Sequence, residues 1–367
     1  MRTPVPAYIE TLQPYIPGKP IEETQREYGL SDVIKLASNE NPLGPSLKAV
    51  HALQESLSKL HLYPDGSSFN LKRRIAEHLG VDPAAVVPGS GSNEIIELLV
   101  RTFMGGDDEA LLCQGSFAMY KVTLHAHGRR FLEVPMKDGH YDLEAMAASI
   151  GPKTRLVFVA NPDNPTGTWF GRAPFERFLE TARAKNPEAL LVIDEAYFEY
   201  VTEADYPNSL VYHRDYPNLV TLRTFSKIYG LAGLRLGYGV MAPALASYLN
   251  RTRMPFNVTS SAPAGGLAAL DDADHVVKSR ELNAQGLVYV QQELKKLGVK
   301  VLPSQANFVF VDLGRPATPV YEGMLRKGVI TRPIPNYGFP NALRISTGLM
   351  ADNQRMVAAL REVLKVP

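Results

Sequence analysis

At 367 residues, 45% of them hydrophobic and 21% charged, the chain can bury a large core, and its length favours one large domain with a smaller one. Lys and Arg number 39 against 38 Asp and Glu, a net charge of +1, so neither a nucleic-acid surface nor an acidic disordered tail is indicated. The single Cys113 excludes an intrachain disulfide framework and a four-cysteine metal site, and the 8 histidines show no zinc-ligand spacing, so no metal is expected.

Taken in chain order, the N-terminus (MRTPVPAYIETLQPY) lacks the apolar core and cleavage pattern of a secretory signal. Residues 1–45 are rich in Pro and turn residues and read as an extended arm that needs another surface to order it. Leu47, Val50, Leu53, Leu57 and Leu60 fall at helical spacing over 46–60, and 69–79 gives a second amphipathic helix ended by Gly80. A short strand, a Gly/Ser turn and a helix follow from Ala84. Apolar runs at 110–114, 130–136, 155–160, 189–196, 218–225 and 235–241 predict strands. Because these runs barely alternate, both faces should be covered, as in a mostly parallel sheet between helix layers. Residues 262–298 predict one long helical stretch. Two further strands (ANFVFVDL, ALRISTG) and two helices (VYEGMLRKG, NQRMVAALREVLK) complete a smaller α+β part. The expected organisation is a large α/β domain over 46–262, with 1–45 and 263–367 forming an arm and a small domain. No run approaches the roughly 20 apolar residues of a membrane span, so a cytoplasmic protein is expected.

Four segments carry candidate chemistry. PGSGSNE (88–94) is a strand-to-helix turn whose backbone N–H groups can face an anion. Glu94 stands where a dinucleotide fingerprint requires glycine, which disfavours a nicotinamide enzyme. NPDNPTG (161–167) turns sharply at a strand end and offers the Asn164 amide there. In VIDEAYFEY, Asp194 ends an apolar strand, where a carboxylate needs a partner such as a protonated heterocycle nitrogen, and Tyr197 can reach the same cavity. In TFSKIYGLAGLRLG, Lys227 follows a strand and can form a Schiff base if held dry, while Thr224, Ser226 and Arg235 supply what a phosphate dianion requires. Each segment alone has an ordinary explanation as a turn, a cap or a solvated lysine. All four in this order do not.

The run NPDNPTG … DEAY … TFSK … AGLRLG resembles the fold type I, class I/II pyridoxal-phosphate aminotransferases along nearly the whole chain. The resemblance implies pyridoxal 5'-phosphate on Lys227, Asp194 on the pyridine nitrogen, and Tyr197 and Asn164 on the ring 3-oxygen. It implies Ser92, Asn93, Thr224, Ser226 and Arg235 on the phosphate, and Phe117 (in SFAMY) stacked on the ring. Tyr63 resembles the family's tyrosine that reaches the neighbouring subunit's cofactor, which implies a homodimer with shared sites. The segments L12-Q13-P14-Y15, ASNENPLGPS, Y63-P-D and GVITRPIPNYGFPNALRISTG are most similar to histidinol-phosphate aminotransferases. That likeness implies histidinol phosphate and 2-oxoglutarate (or glutamate) as substrates, in histidine biosynthesis, with Tyr15, Arg332 and Arg344 on the substrate phosphate. The same architecture serves aromatic aminotransferases and a threonine-phosphate decarboxylase, which stand as alternatives. Trp169 has no functional account from the sequence.

Overall fold

The computed structural model describes residues 4–366. Its centre is a seven-stranded sheet in the spatial order Val86–Gly89, Gly237–Met241, Leu219–Thr224, Leu190–Asp194, Thr154–Ala160, Glu109–Cys113, Arg130–Val134. The five strands from Leu219–Thr224 outward pair in parallel. Gly237–Met241 runs against both of its neighbours.

The apolar runs seen in the sequence are two-faced, as strand geometry requires. Leu156, Phe158, Val192, Val220 and Leu222 pack into one cluster with Ile95, Leu99 and Leu249 from helices Ser92–Phe103 and Pro243–Thr252. Val157, Val159, Leu191, Ile193 and Leu219, one residue out of phase, pack on the other face with Met146, Phe175 and Phe178 from helices Leu143–Ala148 and Arg172–Lys185. A second, antiparallel sheet orders Arg332–Ile334, Phe339–Ser346, Phe308–Asp312 and Lys300–Val301. Helices Ala273–Lys296, Ala317–Arg326 and Met350–Leu364 contribute to its core.

Helix Phe69–Leu79 begins and ends where the sequence places it, closed by Gly80 at φ 69°. Other expectations need correction. The N-terminal arm is not simply extended. It holds helices Ala7–Glu10 and Ile21–Tyr28, and Ile34–Lys35 pairs in parallel with Val329–Ile330. Ile21 and Tyr28 pack against Leu325 and Ile330, a tertiary gain that Pro-rich composition hides. The helix at 46–60 is α-helical only over Leu47–Ser56 before tightening to a 3-10 turn. The 262–298 stretch is two helices, Ser261–Leu270 and Ala273–Lys296. The break falls at Asp271, whose carboxylate takes Arg74 Nη2 at 2.7 Å. The helix after Val86–Gly89 is capped by Gly91 at φ 76°.

This topology positions the site. The turns after Val86–Gly89, Thr154–Ala160, Leu190–Asp194 and Leu219–Thr224 all leave the same edge of the sheet. The register sets Asp194 opposite Ala160, and sets Gly237 opposite both Thr224 and Gly89. Arg235 enters that edge because its strand is reversed. The carboxyl ends of parallel strands are where open α/β sheets gather ligands.

Candidate active site

At that edge a cavity of about 200 Å³ opens, lined by residues of both sheets and of the N-terminal arm. Of the residues the sequence singled out, Tyr15, Ser92, Asn93, Phe117, Asn164, Asp194, Tyr197, Thr224, Ser226, Lys227, Arg235, Arg332 and Arg344 all line it. Tyr63 does not. It is 83% exposed on the outer surface, stacked on Phe256 with ring centroids 4.7 Å apart.

One end of the cavity is built for an anion. Ser92 and Asn93 open helix Ser92–Phe103, and among the described residues neither backbone N–H donates to a protein acceptor. Arg235 sits at φ 56°, a left-handed turn that sends its guanidinium back against Gly91, where a Cβ would lie 2.6 Å from Nη2. Its Nη1 reaches Ser226 Oγ at 3.4 Å. Thr224 Oγ1 accepts the Ser226 N–H at 3.1 Å and fixes the turn that carries Lys227. Free N–H groups, a hydroxyl and an arginine at a helix N-terminus form a phosphate-type cradle.

The middle of the cavity holds one carboxylate and one amine. Asp194 is 5% exposed, and burial pushes its carboxyl up to about 6, against the opposing hydrogen bonds from Tyr120 and the Ala196 N–H. Tyr120 Oη donates to Oδ2 at 2.8 Å and Ala196 N to Oδ1 at 3.1 Å. Lys227 is brought down to about 8, first by burial and then by the Arg344 charge. Its Nζ lies 5.6 Å from the Tyr197 ring centre and donates a 3.4 Å bond to Ser38 O. Tyr197 Oη accepts from Asn39 Nδ2 at 2.8 Å. A lysine with a depressed pKa beside a buried, weakly paired carboxylate is suited to amine–carbonyl chemistry under a cationic ring.

Another part of the cavity wall is cationic. Arg332 and Arg344 are register partners on adjacent antiparallel strands, both buried. Arg344 donates to Asn164 Oδ1 at 2.6 Å and to Ala37 O at 2.7 Å, while its Nε is buried without a partner. Arg332 donates to Ile16 O and lies 5.8 Å from the ring centre of Tyr15. Among the described residues neither guanidinium meets a carboxylate. Like charges placed opposite on paired strands repel, so this pair is set to receive an anion.

Two site residues were missed by sequence reasoning. Tyr120 lies three residues after Phe117 within SFAMY, one turn along helix Ala118–Ala126, a helix not read from the sequence. Asn39 lies in ASNENPLGPS at φ 56°, and its amide bridges Tyr197 and Ser346 Oγ. Asn164, expected to offer an amide donor at this strand end, has its carbonyl oxygen taken by Arg344 and keeps its amide N–H groups for a ligand.

The donor set fits a flat, phosphate-bearing cationic heterocycle that carries a carbonyl. The anion cradle, the buried Asp194 acceptor and the Lys227 amine line one continuous cavity, with the Phe117 ring at its wall. Among the described residues no group of three or more His, Cys, Asp or Glu is placed to hold a metal ion, and no helix is long and apolar enough to cross a membrane.

Comparison with known proteins agrees with this chemistry. The sequence profile of the aminotransferase class I and II family matches residues 31–360. A histidinol-phosphate aminotransferase from Anaeromyxobacter sp. is 52% identical over 98% of this chain and 99% of that protein. One from Moorella thermoacetica is 48% identical over 97% of this chain and 92% of its own length. The crystal structure of histidinol-phosphate aminotransferase from Sinorhizobium meliloti in complex with pyridoxal-5'-phosphate superposes with a TM-score of 0.89 at 29% identity, covering 100% of this chain and 98% of that one.

Proposed function

This chain belongs to the class I and II aminotransferase family, and from that premise we propose that it transaminates L-histidinol phosphate with 2-oxoglutarate, using pyridoxal 5'-phosphate, in cytoplasmic histidine biosynthesis. The observation that carries the substrate reading is the second anion site. Buried Arg332 and Arg344, opposite each other in strand register and without carboxylate partners among the described residues, line the same cavity as the Ser92–Arg235 cradle. A substrate that brings its own phosphate satisfies both guanidinium groups.

When bound, the cofactor supplies a carbonyl that links to amines and a ring that accepts the electron pair left by a departing α-proton. The protein's own groups do the rest. The N–H groups of Ser92 and Asn93, with Thr224, Ser226 and Arg235, hold its phosphate. Asp194 accepts the ring-nitrogen hydrogen bond and keeps that nitrogen protonated. Tyr197 and the Asn164 amide hold the ring 3-oxygen. Phe117 covers the ring face. Lys227, partly neutral near pH 8, would carry the cofactor as its amine partner and, once released, act as the base for the proton on the substrate's α-carbon. Tyr15, Arg332 and Arg344 bind the substrate phosphate, and Arg344, through Asn164, also steadies the cofactor side.

Tyr63 acts across a homodimer interface in this reading, and its exposure beside exposed Leu57, Leu60, Leu62, Met254 and Phe256 supports it. The expected boundary at 262, between a large part over 46–262 and a small part over 263–367 with the arm 1–45, falls inside one helix and is better placed after it. Helix Ser261–Leu270 packs on Leu47–Ser56 and so sides with the large part.

Absorbance of the purified protein, titrated separately with L-histidinol phosphate and L-phenylalanine, tests the reading. Loss of the visible lysine–cofactor band at low histidinol phosphate supports it. Loss only with phenylalanine makes the protein an aromatic aminotransferase. Absence of any visible band after adding pyridoxal phosphate overturns the cofactor assignment.

A further inference from the structure

Glu94 is anomalous at the anion cradle. It stands at the third position of the helix whose N-terminus faces the anion, and a carboxylate swung toward that anion would repel it. The structure points it elsewhere. Glu94 Oε2 accepts the Ser90 N–H at 2.5 Å, reaching back one residue past the Gly91 N-cap. The same oxygen accepts Asn257 Nδ2 at 2.9 Å. Asn257 is itself fixed. Its Nδ2 also faces Pro88 O at 3.3 Å, and its Oδ1 accepts Arg253 Nη1 at 2.9 Å. Arg253 is anchored at Asn250 Oδ1 (2.9 Å) and Gly66 O (2.6 Å). A chain of hydrogen bonds therefore runs from the loop three residues past Tyr63, through Arg253 and Asn257, to the turn that makes the cradle.

The bookkeeping of N–H groups shows what this arrangement does. Gly91 N–H goes to Gly89 O and Glu94 N–H to Gly91 O. Glu94 takes Ser90. The N–H groups of Ser92 and Asn93 are left over, and both residues line the cavity. Space leaves little slack in the turn: a Cβ on Gly89 would lie 3.1 Å from Glu94 Oε2, and one on Gly237 would lie 2.3 Å from Ser92 N.

We propose that Glu94, held by Asn257 and Arg253, is a positioning residue for the cofactor phosphate: it consumes the Ser90 N–H, turns its own charge away, and presents the Ser92 and Asn93 N–H groups. The proposal rests on the cofactor reading above. It goes beyond that reading by assigning affinity to three side chains that do not touch the ligand. Two effects of Glu94 oppose each other, and this makes the idea testable. If only its charge mattered, both Glu94→Ala and Glu94→Gln would tighten anion binding. If it positions the turn, Glu94→Gln keeps the geometry, since an amide oxygen can accept both hydrogen bonds, whereas Glu94→Ala loses it. Asn257→Ala leaves the charge in place and frees it to swing, so it is the most damaging.

The experiment measures dissociation constants of the apoprotein for inorganic phosphate, by thermal shift, and for pyridoxal phosphate, by absorbance. Both use wild type, Glu94→Gln, Glu94→Ala and Asn257→Ala, with circular dichroism to confirm folding. The expected result is weakening of both ligands by about tenfold in Glu94→Ala and more in Asn257→Ala, the scale of one or two lost hydrogen bonds, with Glu94→Gln near wild type or tighter. Glu94→Ala and Asn257→Ala binding as tightly as wild type, or tighter, overturns the proposal. Should either variant not fold, the comparison of the other with Glu94→Gln decides, since positioning requires their phosphate affinities to separate. Wild type binding neither ligand instead overturns the cofactor reading itself.

Discussion

Removing one hydroxyl, in Tyr120→Phe, tests how the site keeps Asp194 ionised. Asp194 titrates near 6 with two hydrogen bonds in place, one from Tyr120 and one from the Ala196 N–H. A hydrogen bond to a charged group contributes about 1.5–3 kcal/mol. At about 1.4 kcal/mol per pKa unit, its loss raises Asp194 by roughly one to two units, to about 7–8. At pH 7 the ionised fraction then falls from about nine-tenths to between a half and a tenth, while at pH 9 it is nearly complete. Cofactor affinity that depends on the carboxylate therefore drops about two- to tenfold at pH 7 and recovers by pH 9. The ring itself is kept, since Tyr120 stacks on Phe158 at 4.8 Å and phenylalanine fills the same space. The assay is an absorbance titration of apoprotein with pyridoxal phosphate from pH 6 to 9, read as the ratio of variant to wild-type dissociation constants. That ratio cancels titration of Lys227 and of the cofactor. A ratio of one at pH 7, or a deficit that does not change with pH, refutes the reasoning.

Three further outcomes follow from the same geometry. Arg344→Ala raises the Michaelis constant for histidinol phosphate by about tenfold or more, and it also lowers kcat because Asn164 loses its anchor; an unchanged Michaelis constant removes Arg344 from the anion clamp. Asp163 is fully buried, with Oδ1 unpartnered, and burial raises its carboxyl from 3.8 to about 7. A raised carboxyl stabilises the fold below about pH 4 and loses that contribution as pH rises to 7, so denaturant unfolding of the apoprotein should find Asp163→Asn gaining ~4 kcal/mol on wild type between pH 4 and 8; parallel pH profiles count against this. Glu195 Oε2 accepts Arg223 Nη2 at 2.8 Å and Nε at 3.0 Å with both side chains buried. Glu195→Ala should cost about 3–5 kcal/mol in urea unfolding by stranding the arginine, and Glu195→Leu with Arg223→Met should recover much of it; a loss below about 1 kcal/mol in the single variant contradicts the pairing.

Much of this protein is legible in one dimension because the relevant signals are local. Unalternating apolar runs mark strands covered on both faces, and Leu156 to Val159 do pack alternately into two opposed clusters. Gly80 ends its helix because a left-handed residue must sit there. Asp194, Asn164 and Lys227 were found because polar groups at the ends of apolar strands need a reason to be there. The family likeness then supplied a role for each.

What the sequence could not decide depends on groups far apart in the chain. The arm reads as extended because its prolines dominate locally, yet Ile21 and Tyr28 gain a helix by packing on Leu325 and Ile330. The pairing of Arg332 with Arg344 is a matter of strand register, and Arg344's hold on Asn164 spans 180 residues. Tyr120 and Asn39 are ordinary by residue type and become part of the site only through a helix turn and a left-handed bend. Sequence alone thus determined the kind of chemistry, because reactive groups must sit at strand ends whatever surrounds them. Tertiary structure decided how those groups are charged, held and paired, because burial, register and hydrogen-bond partners exist only once the chain has folded.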